Sequence, residues 1–134
     1  MSGENLTSVS THILDTSLGR PAAGVDVRMS ARNNRAAGDG AAWSPHGTSV
    51  TDADGRCKDF PALPEGTTHV RLVFETEAYF SQNKRAEAQQ DAPALRDSDA
   101  FFPEVAITFA VDPGEHYHVP LLLTPFGYSV YRGS

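Results

Sequence analysis

Apolar residues in this chain recur at every second position in short stripes and show no comparable helical spacing. Val9, Thr11 and Ile13 form one stripe, Val25, Val27 and Met29 a second, and Val70, Leu72 and Phe74 a third. Val105, Ile107, Phe109 and Val111 form another, and Tyr117, Val119, Leu121 and Leu123 the last. Side chains alternate across an extended chain, so each stripe is one buried face of a strand. Trp43 and the run Thr48 to Thr51 suggest a further strand. About seven short strands joined by Gly, Pro and Asp turns must bury their apolar faces against one another, which predicts an all-β sandwich. At 134 residues one core suffices, so residues 1–134 are read as a single domain with residues 1–7 as a flexible N-terminal tail.

The connections are read from turn chemistry. Residues 17–24 are a loop by Gly and Pro content, and Asp112 to Glu115 turns the chain into a closing hairpin. Residues 32–42 hold no apolar periodicity and several residues tolerant of positive φ, which predicts a mobile hairpin loop. Asp54-Gly55 is a hairpin signal that places Arg56 first on a returning strand. Glu77 to Asn83 has room for one or two helical turns, the one short helix of the reading, and 84–100 is read as a long flexible loop interrupted by Pro93. In Thr124-Pro-Phe-Gly127, Pro125 sets φ at the first central position and Gly127 is free to take a positive φ.

Composition narrows the function classes. Seventeen acidic against eleven basic residues give a net charge of −6, which repels phosphate backbones and anionic membranes, so neither nucleic acid nor membrane is expected as a partner. With Cys57 as the only cysteine, no intrachain disulfide and no cysteine-based zinc site can form. An inert thiol in a reducing, cytoplasmic setting is the expectation. Neither a signal peptide nor a membrane span of ~20 apolar residues is read, and the terminus is not of the Ser-Lys-Leu type.

Four positions and the tail stand out chemically. His12 and His118 each lie on a strand face opposite an apolar stripe, and imidazole titrates near ~6.5, so either can move a proton at neutral pH. On spacing alone, a lone strand histidine is more often a surface or packed group. Arg56 by default is an exposed strand arginine in a surface ion pair worth ~0.5 kcal/mol. Its planar fork of donors also suits a flat heterocycle's carbonyls. His116 and His118 share a face at a common metal-ligand spacing, and with His12 they would make a three-histidine zinc site. The chain ends Tyr131-Arg132-Gly133-Ser134, and an ordinary end would simply fray.

Four segments in order, Ser10-Thr-His-Ile-Leu-Asp15, Thr51-Asp-Ala-Asp-Gly-Arg56, the stretch His116 to Phe126 and the terminal Tyr131 to Ser134, resemble the transthyretin-related 5-hydroxyisourate hydrolases. The similarity runs from about Val9 to Ser134. It implies a transthyretin-like β-sandwich of two four-stranded sheets with one short helix, assembled as a homotetramer with active sites at the subunit interface. The resemblance also implies that His12, Arg56, His118 and Ser134 are catalytic, that Arg56, Tyr131, Arg132 and Gly133 bind substrate, and that no metal or other cofactor is needed. Thr124 stands where the family usually has serine, Val130 where it has threonine, and the loops at 32–42 and 84–100 look longer than typical.

The implied reaction is hydrolysis of 5-hydroxyisourate to 2-oxo-4-hydroxy-4-carboxy-5-ureidoimidazoline, a step of urate degradation. One of His12 and His118 would be general base on the attacking water, the other would orient water or protonate the leaving nitrogen, and Arg56 would steady the oxyanion. No nucleophile elbow is present, which favours direct water attack. Two other classes remain open on the same fold: a carrier of hydrophobic hormone like transthyretin, and a plain interaction sandwich.

Overall fold

The computed structural model describes residues 6–37, 42–88 and 100–133. Two sheets pack face to face. The first has strand order β2-β1-β8-β9, built from β1 (Ser8–Asp15), β2 (Arg20–Pro21), β8 (His116–Thr124) and β9 (Gly127–Val130), with β5 (Arg56–Cys57) also paired to β1. The second has order β4-β3-β6-β7, from β3 (Asp26–Arg32), β4 (Ser44–Val50), β6 (His69–Phe74) and β7 (Val105–Ala110). The all-β sandwich reading stands. One sheet carries five strands rather than four, because the two-residue strands β2 and β5 share the edge of β1 opposite β8.

Alternation decides which residues fill the space between sheets. Ile13, Val27, Met29, Val70, Leu72, Phe74 and Leu121 are essentially inaccessible, and each lies on the stripe read from the sequence. Burying one such side chain contributes roughly 1.5–3 kcal/mol. The ion pair Arg28–Glu75 at 2.6 Å, the sole one among the described residues, joins an exposed arginine to a half-buried glutamate and adds at most about 1 kcal/mol. Apolar burial therefore holds the sandwich together. No helix among the described residues is long and apolar enough to cross a membrane.

Departures from expectation have physical causes. Helix α2 runs Thr76–Ala88, longer than the one or two turns expected from Glu77, and takes in the start of the loop expected at 84–100. Its apolar contacts come early, at Tyr79 and Phe80. Residues 84–88 are good helix formers without an apolar stripe, so periodicity gives no helical signal there. The start of α2 is pinned from outside: the Thr76 hydroxyl donates to the Phe102 carbonyl at 2.6 Å, Glu77 N–H to Pro103 O at 2.9 Å, and the Tyr79 hydroxyl to buried Asp15 at 2.6 Å. A second short helix, α1 (Asn34–Ala37), occupies part of the loop expected at 32–42. The mobile tip expected there, the remainder of the 84–100 loop and residues 1–5 of the expected tail lie outside the described residues. Thr7, also assigned to that tail, is buried, and its hydroxyl accepts from Gly114 N–H at 2.9 Å. Gly127 does not use a positive φ. The Thr124 hydroxyl closes that turn by accepting from Phe126 and Gly127 N–H groups at 3.1 and 2.9 Å.

The turn before Arg56 crosses between sheets. Its returning strand pairs with β1 and not with β4 as a simple hairpin would, with Thr11 opposite Cys57 and His12 opposite Arg56. Gly55, at φ 78°, accepts from Ile13 N–H at 2.7 Å, and a Cβ there would stand 2.4 Å from the Ile13 carbonyl oxygen. Only glycine fits both the conformation and the contact. Gly55→Ala should therefore cost at least about 1–3 kcal/mol, read as a lower denaturation midpoint at unchanged m-value; an unshifted midpoint would show that the turn tolerates a side chain.

Candidate active site

The outer face of the five-stranded sheet gathers the chemistry. Because Val9, Thr11 and Ile13 are drawn into the core, His12 is turned outward; Tyr117, Val119 and Leu121 do the same for His118. Strands β1 and β8 run parallel over eight residue pairs, with Ser10 beside His118 and His12 beside Pro120. On the far side of β1, Arg56 stands opposite His12. On the far side of β8, Gly133 bridges to His118, its N–H donating to the His118 carbonyl at 2.8 Å. Three strand spacings, roughly 14 Å, separate Arg56 from the tail.

Within that span the His12 and His118 rings are 6.5 Å apart between centroids and inclined at 34°. A water or a substrate atom fits between groups so spaced. His12 and Arg56, with Leu14, Pro21, Asp54 and Lys58, line an open cleft of about 570 Å³. Arg56 is exposed and has no ion-pair partner among the described residues, so its default role as half of a surface pair does not apply. Its backbone is held instead: Arg56 N–H donates to Asp52 Oδ1 at 3.0 Å, and Arg56 O accepts from Asp52 N–H at 3.0 Å. The Arg56 N–H contact, and secondarily that of Asp54, lowers the Asp52 carboxyl below the ordinary carboxylate value. Lys58 was not among the expected site residues. Two positions beyond Arg56 in an extended segment, it shares the same side, a signal available from alternation.

His118 is half-buried. Loss of solvent first, then the positive fields of His12, Arg56 and His116, hold its imidazole below the ordinary 6.5. It is thus neutral at pH 7. Its Nδ1 lies 2.9 Å from the Ser10 hydroxyl, which also meets His116 Nε2 at 3.0 Å. No group of three or more His, Cys, Asp or Glu among the described residues is arranged to hold a metal ion. Burial, ahead of the smaller effects of its neighbours, pushes the Cys57 thiol up, which keeps it protonated and unreactive.

The tail divides. Gly133 lies against the histidine side of the sheet, where a Cβ would come within 2.9 Å of His118 Cδ2. Tyr131 is 57% exposed, with its N–H donating to Pro120 O at 3.3 Å. Arg132 is not brought to the histidines: its guanidinium sits 4.7 Å from the centre of the Tyr117 ring, a residue of the core stripe on the opposite face. Ser134 lies outside the described residues.

The electrostatics make a sign-definite expectation. A histidine NMR titration should place His118 below 6.5, and Arg56→Gln should move it upward by removing a repelling charge. Because the unfolded chain takes up this proton at higher pH than the folded one, the linked stability is complete above about 6.5 and declines as pH falls toward the folded value. A His118 midpoint at or above 6.5 would contradict this geometry.

Comparison with known proteins follows the same residues. A family model described as HIUase/Transthyretin family matches residues 9–133. The 5-hydroxyisourate hydrolase of Salmonella typhimurium is 38% identical over 134 residues, covering 98% of this chain and 83% of that protein. The solved 5-hydroxyisourate hydrolase of Klebsiella pneumoniae superposes with a TM-score of 0.69 at 34% identity, covering 94% of this chain and 98% of that one. Sea bream transthyretin, solved in complex with thyroxine, superposes at 0.72 with 26% identity, covering 93% of each chain.

Proposed function

The chain belongs to the HIUase/transthyretin family, and from that premise we propose that it hydrolyses 5-hydroxyisourate to 2-oxo-4-hydroxy-4-carboxy-5-ureidoimidazoline in urate degradation. The observation that carries the reading is the shared face on which two imidazoles stand 6.5 Å apart beside a guanidinium with no ion-pair partner among the described residues.

In this mechanism His118, neutral at pH 7, takes a proton from the attacking water. His12, whose ring has no hydrogen-bond partner among the described residues, orients that water or protonates the leaving nitrogen. Arg56 meets the negative charge that develops on the carbonyl oxygen, where one well-placed donor is worth about 3 kcal/mol, and Lys58 adds to the positive field. Water attacks directly, without a covalent intermediate. Gly133 packs the tail against His118, and Tyr131 and Ser134 on either side of it help bind substrate and water. Arg132 acts through its stack on Tyr117, holding the tail in place, a contact of the kind worth about 0.5–1 kcal/mol.

The working form is read as a cytoplasmic homotetramer with active sites between subunits, without a metal. Strands β7 and β9 end their sheets with unpaired backbone edges, which natural proteins cover or pair. The likeness to a thyroxine-bound transthyretin favours a carrier as the second reading. Against it, the cleft beside His12 carries Asp54, Arg56 and Lys58, charges that an iodinated aromatic would have to desolvate.

Purified protein added to urate and urate oxidase should hasten decay of the ultraviolet-absorbing intermediate, and unchanged decay would defeat the enzyme reading. His12→Ala, Arg56→Ala and His118→Ala should each lower kcat/KM by about 10²–10⁴ with the fold retained. Gly133→Ala should lower kcat by about tenfold through displacement of the His118 ring; full activity in that variant would separate the tail from the chemistry.

A further inference from the structure

The parallel register of β1 and β8 sets two serines beside two histidines on the outer face, Ser8 against His116 and Ser10 against His118. The polar atoms connect in a line. Ser8 Oγ lies 2.7 Å from His116 Nδ1, His116 Nε2 lies 3.0 Å from Ser10 Oγ, and Ser10 Oγ lies 2.9 Å from His118 Nδ1. The line starts at half-buried His118, passes through exposed His116 and ends at Ser8. We propose that Ser10 and His116 form a proton relay that sets the tautomer of His118 and carries its captured proton out to solvent.

Donor counting supplies the argument. A serine hydroxyl has one proton, so Ser10, placed between two ring nitrogens, donates to one and accepts from the other. If it donates to His116 Nε2, it accepts from His118 Nδ1–H, and the His118 Nε2 lone pair is left free to act as base. His116 Nδ1–H then donates to Ser8. The opposite polarity, with every donor reversed, leaves His118 Nε2–H as an acid. Both arrangements satisfy every atom in the line.

Proton capture converts one polarity into the other with atoms in balance, and the same line run in reverse, as His118 Nε2–H gives up its proton, restores the base. His118 Nε2 takes a proton from the attacking water. The His118 Nδ1 proton passes to Ser10 Oγ as the Ser10 proton passes to His116 Nε2. The His116 Nδ1 proton passes to Ser8 Oγ, and the Ser8 hydroxyl proton goes to solvent. The net change is one proton moved from the site to bulk water, with His118 neutral again. The surroundings favour this export. His12 from β1, Arg56 from β5 and His116 from β8 all repel a positive charge on His118. His116 and Ser10 are positioning residues here, since neither is placed against substrate.

The inference rests on the proposed base role of His118, and the test keeps the two apart. Ser10→Ala and His116→Phe should each lower kcat roughly tenfold or more, but by less than the about 10²–10⁴ that loss of the general base itself costs, at unchanged KM. Ser10→Thr, which keeps the hydroxyl, should restore kcat. The double variant should be no slower than the slower single variant, as residues acting as one unit are not additive. Added imidazole buffer should raise kcat of the Ser10→Ala enzyme and leave wild type unchanged, and the acid limb of its pH profile should move. Wild-type kcat and pH profile in both single variants, with His118→Ala inactive, would overturn the relay alone. A loss in Ser10→Ala that buffer does not relieve and that leaves the pH profile unmoved would also overturn it, as a packing effect. Full activity in His118→Ala would instead remove the base reading beneath it.

Discussion

The parallel pairing of Ser8–Asp15 with His116–Thr124 is the constraint on which both core and candidate site depend. It joins the beginning of the described chain to its end through a continuous ladder, and side chains on the two faces have opposite duties. Inside, Thr11, Ile13, Val119 and Leu121 are buried; outside, Ser10, His12 and His118 meet solvent. The buried Thr11 hydroxyl donates to the Val119 carbonyl at 2.5 Å, fastening that register from within. A slip of one residue in either strand would send its histidine into the core and its aliphatic residues into water, at a cost of several buried side chains. Burial energy thus positions the chemistry.

Everything else in the site is attached to that pair of strands by short connections. Gly55 turns the chain so closely against Ile13 that β5 pairs with β1, and this delivers Arg56 to the side of His12. The return from β8 through Thr124 to Gly127 brings the tail back antiparallel, so Gly133 meets His118. Arg132 on the other face stacks on Tyr117 and anchors that approach. The site is therefore a row across one sheet, read from β5 to the tail, in which each member is held by a backbone contact made for structural reasons.

The electrostatics follow from the same row. Placing His12, Arg56 and His116 around a half-buried imidazole makes a protonated His118 costly. A group kept neutral at pH 7 accepts a proton readily only if that proton has somewhere to go. The Ser10–His116–Ser8 line leads away from the cleft, toward the exposed end of β8.

Period-two patterning by itself determined the five long striped strands β1, β3, β6, β7 and β8, the face each would bury, and the outward direction of His12 and His118, because alternation is a local property of an extended backbone. The tight turn at Asp54-Gly55 was legible for the same reason. The length of α2 was not, since residues 84–88 carry helix propensity without a stripe and its start is held by Phe102, Pro103 and Asp15 from elsewhere in the chain. Nor was the partner of Arg56's strand, the separation of Arg132 from the histidines, or the serine–histidine line. Those depend on which strands pair and in what register across more than a hundred residues. Such choices are settled by packing of the whole sandwich, and no window of sequence contains them.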